Sequence, residues 1–440
     1  MRHLLQATAT NIPLRDETVQ AIVTSPPYWG LRAYAGEQSQ TWGGDPDCAH
    51  DWAAVPGGEG FTGASRWQHN DKEGRADQGI TRATHPEAWG QIERGGTCAC
   101  GAWRGGLGLE PVPDCGAWAR GEPPCAVCFV CHMRAVFAEL WRVLRSDGTC
   151  WLNLGDSYAS AGAMPGLKPK DLIGVPWRVA LALQADGWWL RSEIIWAKPN
   201  PMPESVTDRP TKAHEPVFLL TKSARYFYDA DGVREDHVRL WDGSKPNGRT
   251  LAPGSEYTMD SGAPGAHRRE EAAIEPNPAG RNARTVWTIP SQPYPGSHFA
   301  VFPEALAERC ILAGTSPKAC GVCGAPWARE REPSPAYKQL LTDTSEQWYQ
   351  RKSNPFEGTL KSSNRFSGSA DYVTTGWRPT CAHNDDTGRC VVLDPFAGTG
   401  TVARVALRHG RHAVGIDISR EYLLEHAVKR ADRVQTEMGL

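Results

Sequence analysis

Two short segments at opposite ends of the chain constrain the fold more than anything between them: Val23-Thr24-Ser25-Pro26-Pro27-Tyr28 and Leu393-Asp394-Pro395-Phe396-Ala397-Gly398-Thr399-Gly400-Thr401. Each follows an apolar, β-branched run, Ala21 to Val23 and Val391 to Leu393. Each therefore sits where a buried parallel strand ends, and open α/β sheets bind their ligands at such ends. The two tips are expected to face one pocket. A Gly-x-Gly turn between strand and helix lets the backbone approach a cofactor closely, and a helix from Thr401 to His409, closed by Gly410, fits behind it. The next strand, Ala413 to Ile418, carries Asp417 near its end, where a carboxylate accepts hydrogen bonds from ribose hydroxyls.

The Ser-Pro-Pro-Tyr tip supplies a different chemistry. Its two prolines restrict φ and lack backbone donors, so the segment offers carbonyl and hydroxyl acceptors, with an aromatic face beside them, to a group that donates. An exocyclic amine on a nucleobase is such a group. On these residues the chain resembles the β-group of amino-directed DNA methyltransferases, in which the catalytic motif precedes the S-adenosylmethionine motif. Val-Thr-Ser-Pro-Pro-Tyr is the form typical of cytosine-N4 members, whereas adenine-N6 members more often carry Asp or Asn in place of the serine.

The resemblance extends through Trp29-Gly30-Leu31-Arg32, Trp151 to Tyr158, Ile194 to Asn200, Arg209-Pro210 through His214-Glu215, and Ser297 to Pro303, which is similar to the segment closing over the methionine part of the cofactor. It implies a Rossmann-like α/β methyltransferase fold with permuted motif order. It also implies Ser25, Pro26, Pro27 and Tyr28 as catalytic residues, with Ser25 and the Pro26 carbonyl accepting from the amine and Tyr28 stacking on a flipped base. On the cofactor side it implies Asp394 as partner of the amino group, Phe396, Gly398 and Gly400 shaping the pocket with Pro395 and Thr401, Asp417 on the ribose, and His298 in the closing segment. At Gln6-Ala7-Thr8-Ala9 the chain departs from the family, whose members usually have Gly-Asp there, so Thr8 stands where a carboxylate would lie near the adenine.

At 440 residues the chain exceeds one ordinary core, so one large domain with insertions, or two to three units, is expected. With 40% hydrophobic and 22% charged residues and no apolar run near the roughly 20 residues of a membrane span, a cytoplasmic globular protein is expected. No signal-peptide pattern follows Met1-Arg2-His3. A net charge of −2 argues against indiscriminate coating of nucleic acid and is compatible with local basic loops on a site-specific DNA enzyme. Many of the 18 tryptophans fall in Gly-rich stretches (Trp42, Trp52, Trp67, Trp89, Trp103, Trp118), where anchoring of irregular loops is the expected use, ahead of base stacking.

The framework reads as pieces separated by three polar insertions. Residues 1–35 hold the catalytic tip and 36–130 a Cys/His/Trp-rich insertion. Residues 131–230 carry further strands and helices, 231–285 a target-recognition region and 286–316 the cofactor-closing segment. A second Cys-rich insertion occupies 317–389, and the cofactor-binding strand-turn-helix 390–440. Met133, Val136, Phe137, Leu140, Trp141 and Leu144 form a helical stripe, followed by an Asp147-Gly148 turn and a strand from Thr149 to Leu154. A helix starts near Pro176 and ends before Gly187, then a strand runs from Trp188 to Trp196; Val217 to Thr221 and Tyr226 to Asp229 suggest a hairpin, and Pro303 to Ala313 a helix. Within 231–285, Arg239, Lys245, Arg249, His267, Arg268, Arg269, Arg281 and Arg284 have the sign for phosphate and guanine contacts, or form a solvated loop.

A cytoplasmic setting turns the 13 cysteines toward metal rather than disulfides. Cys320-x-x-Cys323 with Cys381-x-His383 has the spacing of a tetrahedral zinc knuckle. Cys48-x-His50 with Cys98-x-Cys100 repeats those ingredients, down to the Cys-Gly-Ala-(Pro)-Trp corner that both share. Cys115, Cys125, Cys128 and Cys131 suggest a third, all-cysteine site, with His132 as a spare ligand. Free surface thiols are the competing expectation. Closed four-ligand sets would be structural. Cys128-Phe129-Val130-Cys131-His132 also matches a haem attachment pattern, but that chemistry belongs to exported proteins; Pro124-Cys125 matches the nucleophile of carbon-5 cytosine methylation, but a cysteine among others at x2 spacing is better read as a ligand.

The expected function is methyl transfer from S-adenosylmethionine to an exocyclic amine in double-stranded DNA, cytosine N4 first and adenine N6 as the alternative. A partner restriction endonuclease is compatible with this, and no membrane is involved; recognition sequence and oligomeric state are not encoded in any motif. Two other classes remain open: a protein or RNA amino-methyltransferase, disfavoured by the motif order, and a non-catalytic zinc-based DNA-binding protein, which has no need of the strand-end motifs.

Overall fold

A computed structural model describes residues 2–30, 38–54, 96–159, 166–235, 280–292, 303–335, 338 and 372–437. Its centre is an eight-stranded sheet in the order Arg2–Gln6, His412–Asp417, Val391–Asp394, Val19–Thr24, Leu144–Asn153, His214–Thr221, Trp189–Ala197, Val286–Thr288. The first five run parallel, and so does the pair at the other edge; His214–Thr221 alone is antiparallel to both its neighbours. Such a mixed sheet must be covered on both faces, and the side-chain alternation along Leu144–Asn153 accounts for both covers. Cys150 and Leu152 join the core formed with Met133, Val136, Phe137 and Leu140 of the helix Phe129–Val143. Thr149 and Trp151 face the opposite helix, Glu304–Gly314, where a Cβ on Gly314 would lie 2.3 Å from Thr149 Oγ1. Glycine is therefore required where this helix closes on the sheet.

Strand order reverses at the boundary between Val391–Asp394 and Val19–Thr24. The chain proceeds outward from Val391–Asp394 to His412–Asp417 on one side, and from Val19–Thr24 to Leu144–Asn153 on the other. This is the topological switch point, whose crevice lies beyond the carboxyl ends of the strands. Both tips singled out in the sequence end there.

Local expectations agree closely with the observed elements. The expected helices are found as Phe129–Val143, Val175–Ala185, Glu304–Gly314 and Thr401–Arg408, and the strand expected at 413–418 is His412–Asp417. The Asp147-Gly148 turn survives as an irregularity inside the long strand Leu144–Asn153, whose pairing jumps from Val19↔Leu144 to Ala21↔Thr149. One expectation fails. Val217 to Thr221 does not form a hairpin with Tyr226 to Asp229; the strand His214–Thr221 pairs with Trp189–Ala197 instead. Residues Phe227 and Asp229 give their N–H groups to Asp147 O and Ala313 O, so that stretch is satisfied by the irregularity in Leu144–Asn153 and by a helix end rather than by a ladder.

The chain divides into two compact units. The larger comprises residues 1–229, 284–328 and 379–440, and the smaller 230–283 and 329–378. In the smaller unit Arg281 pairs with Glu235 and Arg331 with Asp231, and the guanidinium of Arg329 lies 4.5 Å over the Trp377 ring. Of the basic residues named for target recognition, Arg239, Lys245, Arg249, His267, Arg268 and Arg269 lie outside the described residues, as do His298, Leu31, Arg32, Trp67 and Trp89. Among the described residues, no helix is long and apolar enough to cross a membrane.

Candidate active site and metal centres

The two tips meet directly. Thr24 Oγ1 donates to Asp394 Oδ1 at 2.9 Å, and the same oxygen accepts from Phe396 N at 3.1 Å. Asp394 is buried, and burial raises its carboxyl to about 7 against the opposing pull of the Phe396 N–H and Thr24 hydroxyl. Among the described residues no group donates to its other oxygen, and a carboxylate so desolvated gains most from a cationic partner. Asp417 Oδ2 accepts from Gly398 N at 2.9 Å and its Oδ1 from Ser419 N at 2.8 Å. That carboxylate thus holds the Gly-rich turn as well as standing at a strand end, and burial raises its pKa.

The glycines of the turn divide their roles in a way that composition does not disclose. Gly400 has φ 74°, and a Cβ there would sit 2.8 Å from Ala427 Cα. Its smallness serves the packing of the C-terminal helical segment, not only an approach to a cofactor. Thr401 is buried and receives a hydrogen bond from Arg430 at 2.9 Å; Pro395 is buried beside Asp394, and Phe396 is half-buried.

On the other tip, Ser25 Oγ donates to Tyr28 Oη at 3.2 Å and lies 3.4 Å from Asn153 Oδ1. Tyr28 Oη is 2.8 Å from Glu215 Oε2 and 2.9 Å from Asn153 Oδ1, so its single proton serves one of two acceptors. Asn153 is oriented by its Nδ2 donating to Pro216 O at 3.1 Å, and Lys198 Nζ pairs with the second oxygen of Glu215. The Tyr28 ring rests against Gly155, where a Cβ would come within 2.4 Å of the ring. Sequence reasoning did not single out Asn153, Lys198 and Glu215, although all three stand at strand ends in segments that carried the family resemblance. Their position at the carboxyl edge, or at the start of the antiparallel strand, was the available signal.

All three cysteine sets assemble, and in each the four ligand atoms lie within 4.8 Å of one another: Cys48, His50, Cys98 and Cys100; Cys115, Cys125, Cys128 and Cys131; Cys320, Cys323, Cys381 and His383. A small antiparallel sheet of Ser39–Trp42, Trp103–Gly106, Gly96–Thr97 and Ala53–Ala54 carries the first set. In the third, the N–H groups of Val322 and Cys323 both point at Cys320 Sγ at 3.4 Å, lowering that thiol to about 7. In the first, the Cys100 N–H and then His50 lower Cys98 to about 6. In each of these two sets a second thiol, Cys48 or Cys323, is raised instead, and it is the sulfur-rich donor composition at such distances that suits a soft tetrahedral cation.

One expectation about these sets is corrected. His132 is not a spare ligand: its Nδ1 is 2.8 Å from Glu110 Oε1 and its Nε2 2.8 Å from Ala126 O, with Trp42 and Trp103 stacked on the ring. Trp42 and Trp103 thereby act as loop anchors, as expected. Cys125 lies within the four-sulfur set, where the sequence reading put it. The three remaining cysteines, Cys150, Cys310 and Cys390, are buried, and burial raises their thiols.

A doubly covered sheet with one antiparallel strand, a Gly-rich strand-end turn and an adjoining Ser-Pro-Pro-Tyr tip define a Rossmann-like methyltransferase. The N6/N4 methyltransferase family model, described as DNA methylase, matches residues 128–320 and 385–429. The type II methyltransferase M.Cfr9I of Citrobacter freundii is 43% identical over 330 residues, 70% of this chain and 73% of its own length. M.SmaI of Serratia marcescens is 45% identical over 202 residues, 41% of this chain, and the chain spans 57% of that relative's length. Among solved structures, PvuII DNA methyltransferase (cytosine-N4-specific) aligns over 99% of this chain and 90% of its own at 13% identity, with a TM-score of 0.43. The chain belongs to the N6/N4 DNA methylase family.

Proposed function

We propose that this protein transfers a methyl group from S-adenosylmethionine to the N4 amine of a cytosine flipped out of double-stranded DNA. The observation that carries the reading is the hydrogen bond between Thr24 and Asp394, which joins an acceptor-rich tip to a buried carboxylate at the switch point. The residues fit the cofactor: Asp394 for its cationic amino group, Phe396 and Gly398 beside it, and Asp417 toward the ribose. When bound, that cofactor supplies an electrophilic methyl group. Ser25 Oγ and the Pro26 carbonyl accept hydrogen bonds from the two N–H groups of the amine, drawing the nitrogen toward tetrahedral so that its lone pair becomes available. Tyr28 offers the ring on which the base stacks, since the target atom is out of reach inside the duplex. The catalysis is positioning plus electrostatics, without a covalent enzyme intermediate.

Support for cytosine over adenine comes from the neutral serine that heads the tip. We further propose that the three cysteine sets hold structural zinc, supported by their sulfur-rich, closed four-ligand composition. The type II names of the relatives support a modification role beside a restriction endonuclease of the same specificity. The deciding test is incubation with S-adenosylmethionine and DNA, digestion to nucleosides and separation by mass. N4-methylcytosine is expected. N6-methyladenine alone would overturn the base assignment and keep the class, and neither base would remove DNA as the target.

A further inference from the structure

A strap from the first insertion, residues Leu107 to Asp114, runs from the catalytic tip to the four-sulfur centre, and most of it is buried. At one end Gly30 N donates to Gly108 O at 2.9 Å, and Trp29 Nε1 to the Glu110 carbonyl at 3.0 Å. Gly108, at φ 92°, lies so close to the tip that a Cβ would meet Tyr28 O at 3.0 Å and Pro27 Cβ at 3.3 Å. At the other end Val112 O and Pro113 O accept from Phe129 N and Val130 N, between Cys128 and Cys131. Cys128 Sγ caps that helix by accepting from Cys131 N.

Glu110 is the pivot. Its side chain is fully buried; one oxygen accepts from Gly108 N at 2.8 Å and the other pairs with His132 Nδ1 at 2.8 Å. His132 is in turn fixed by Ala126 O and by stacking between Trp42 and Trp103, next in sequence to the ligand Cys131. The strap lies outside the stretch that the family model matches.

We propose that Glu110 is a positioning residue for methyl transfer, through which the four-sulfur centre holds the Ser25–Gly30 tip in its reactive geometry. The insertion is then part of the machinery rather than only a stabilising addition. Displacement of a catalytic group by about an ångström costs up to about 100-fold in rate, whereas cofactor binding at the Val391–Asp394 end does not pass through the strap. The inference rests on the DNA methyltransferase reading.

The test compares wild type, Glu110→Ala and Glu110→Gln in single-turnover methylation at saturating DNA and S-adenosylmethionine, with rates expressed per cofactor-binding site counted by calorimetry. Glutamine can accept from Gly108 N with its oxygen and donate to His132 Nδ1 with its nitrogen, so it preserves the pattern; alanine leaves both groups buried and unpaired. The expected result is a rate about tenfold lower or more for Glu110→Ala, cofactor affinity within about twofold, and recovery of at least about half the rate in Glu110→Gln. Hydrogen exchange at Gly30, whose N–H the strap holds, should quicken in Glu110→Ala. An unchanged rate per competent site with only a lowered melting temperature, unchanged exchange at Gly30, or a Gln variant as slow as the Ala variant would each overturn the proposal. Wild-type protein that binds cofactor and methylates no DNA would instead remove the reading beneath it.

Discussion

Thr24 Oγ1 and Asp394 Oδ1 lie 2.9 Å apart although 370 positions separate them in the chain. The bond closes the switch point of the sheet and makes one site of two motifs. It also has an electrostatic consequence, because the Thr24 hydroxyl is one of the groups holding the Asp394 carboxyl down against its burial.

Asp394 titrates at about 7, above the ordinary carboxylate range, with burial the largest cause. Because the folded pKa is raised, the acid is preferentially neutral in the folded state, and folding stability from this group is lost as pH rises from about 4 through about 7. Binding of a cationic amino group needs the ionised form and should run the other way. S-adenosylmethionine affinity, measured by calorimetry, is expected to strengthen across that window. Asp394→Asn should weaken it and flatten the pH dependence, and Thr24→Val should move the midpoint upward. A wild-type affinity independent of pH would exclude Asp394 as the partner.

Asp417→Ala is expected to do more than weaken cofactor binding. Its carboxylate accepts from Gly398 N and Ser419 N, so truncation leaves two partly buried donors and should cost about 1–3 kcal/mol of stability. Denaturant unfolding of the cofactor-free protein measures this directly. A variant as stable as wild type would mean that the turn is held by its neighbours alone.

Elemental analysis of protein purified without added metal should approach three zinc ions per chain, one for each four-ligand set. Cys320→Ser and Cys98→Ser should each remove one. Binding to such sets contributes folding free energy, on the order of 10 kcal/mol in isolated zinc-finger peptides, so chelation is expected to loosen the insertions before the sheet. Less than one equivalent in wild type would defeat the assignment.

Ser25→Ala should lower the yield of N4-methylcytosine by about 100-fold while leaving S-adenosylmethionine affinity unchanged, since the serine touches Tyr28 and Asn153 rather than the Gly-rich turn. Nucleoside mass analysis and calorimetry on the same preparation separate the two effects. A parallel loss of cofactor affinity would show that the serine supports the pocket instead of the amine.

The sequence by itself determined what depends on neighbours a few positions apart. The period-3.6 stripe from Met133 to Leu144 specified the helix observed over Phe129–Val143, Leu144 itself opening the next strand, and the apolar runs before Ser25 and Asp394 specified buried strands. Pairs such as Cys320 and Cys323, or Cys128 and Cys131, read as half-sites because one turn of backbone brings both sulfurs together. Cys48-x-His50 and Cys98-x-Cys100 could be matched by their shared composition, and they do assemble.

Only the tertiary structure decided which strand runs antiparallel and which distant groups complete the site. The partner of Trp189–Ala197 is set by the register of the whole sheet, so the local hairpin reading of Val217 to Asp229 failed. Glu215 and Lys198 reach the tip because two strands approach the same edge from opposite directions. Glu110 meets His132 only because the insertion folds back over the start of a helix, and there a ring that looked like a metal ligand becomes a buried hydrogen-bond partner. These contacts carry no local period or spacing. Their energy comes from satisfying polar groups that burial has removed from water, and burial is a property of the assembled fold.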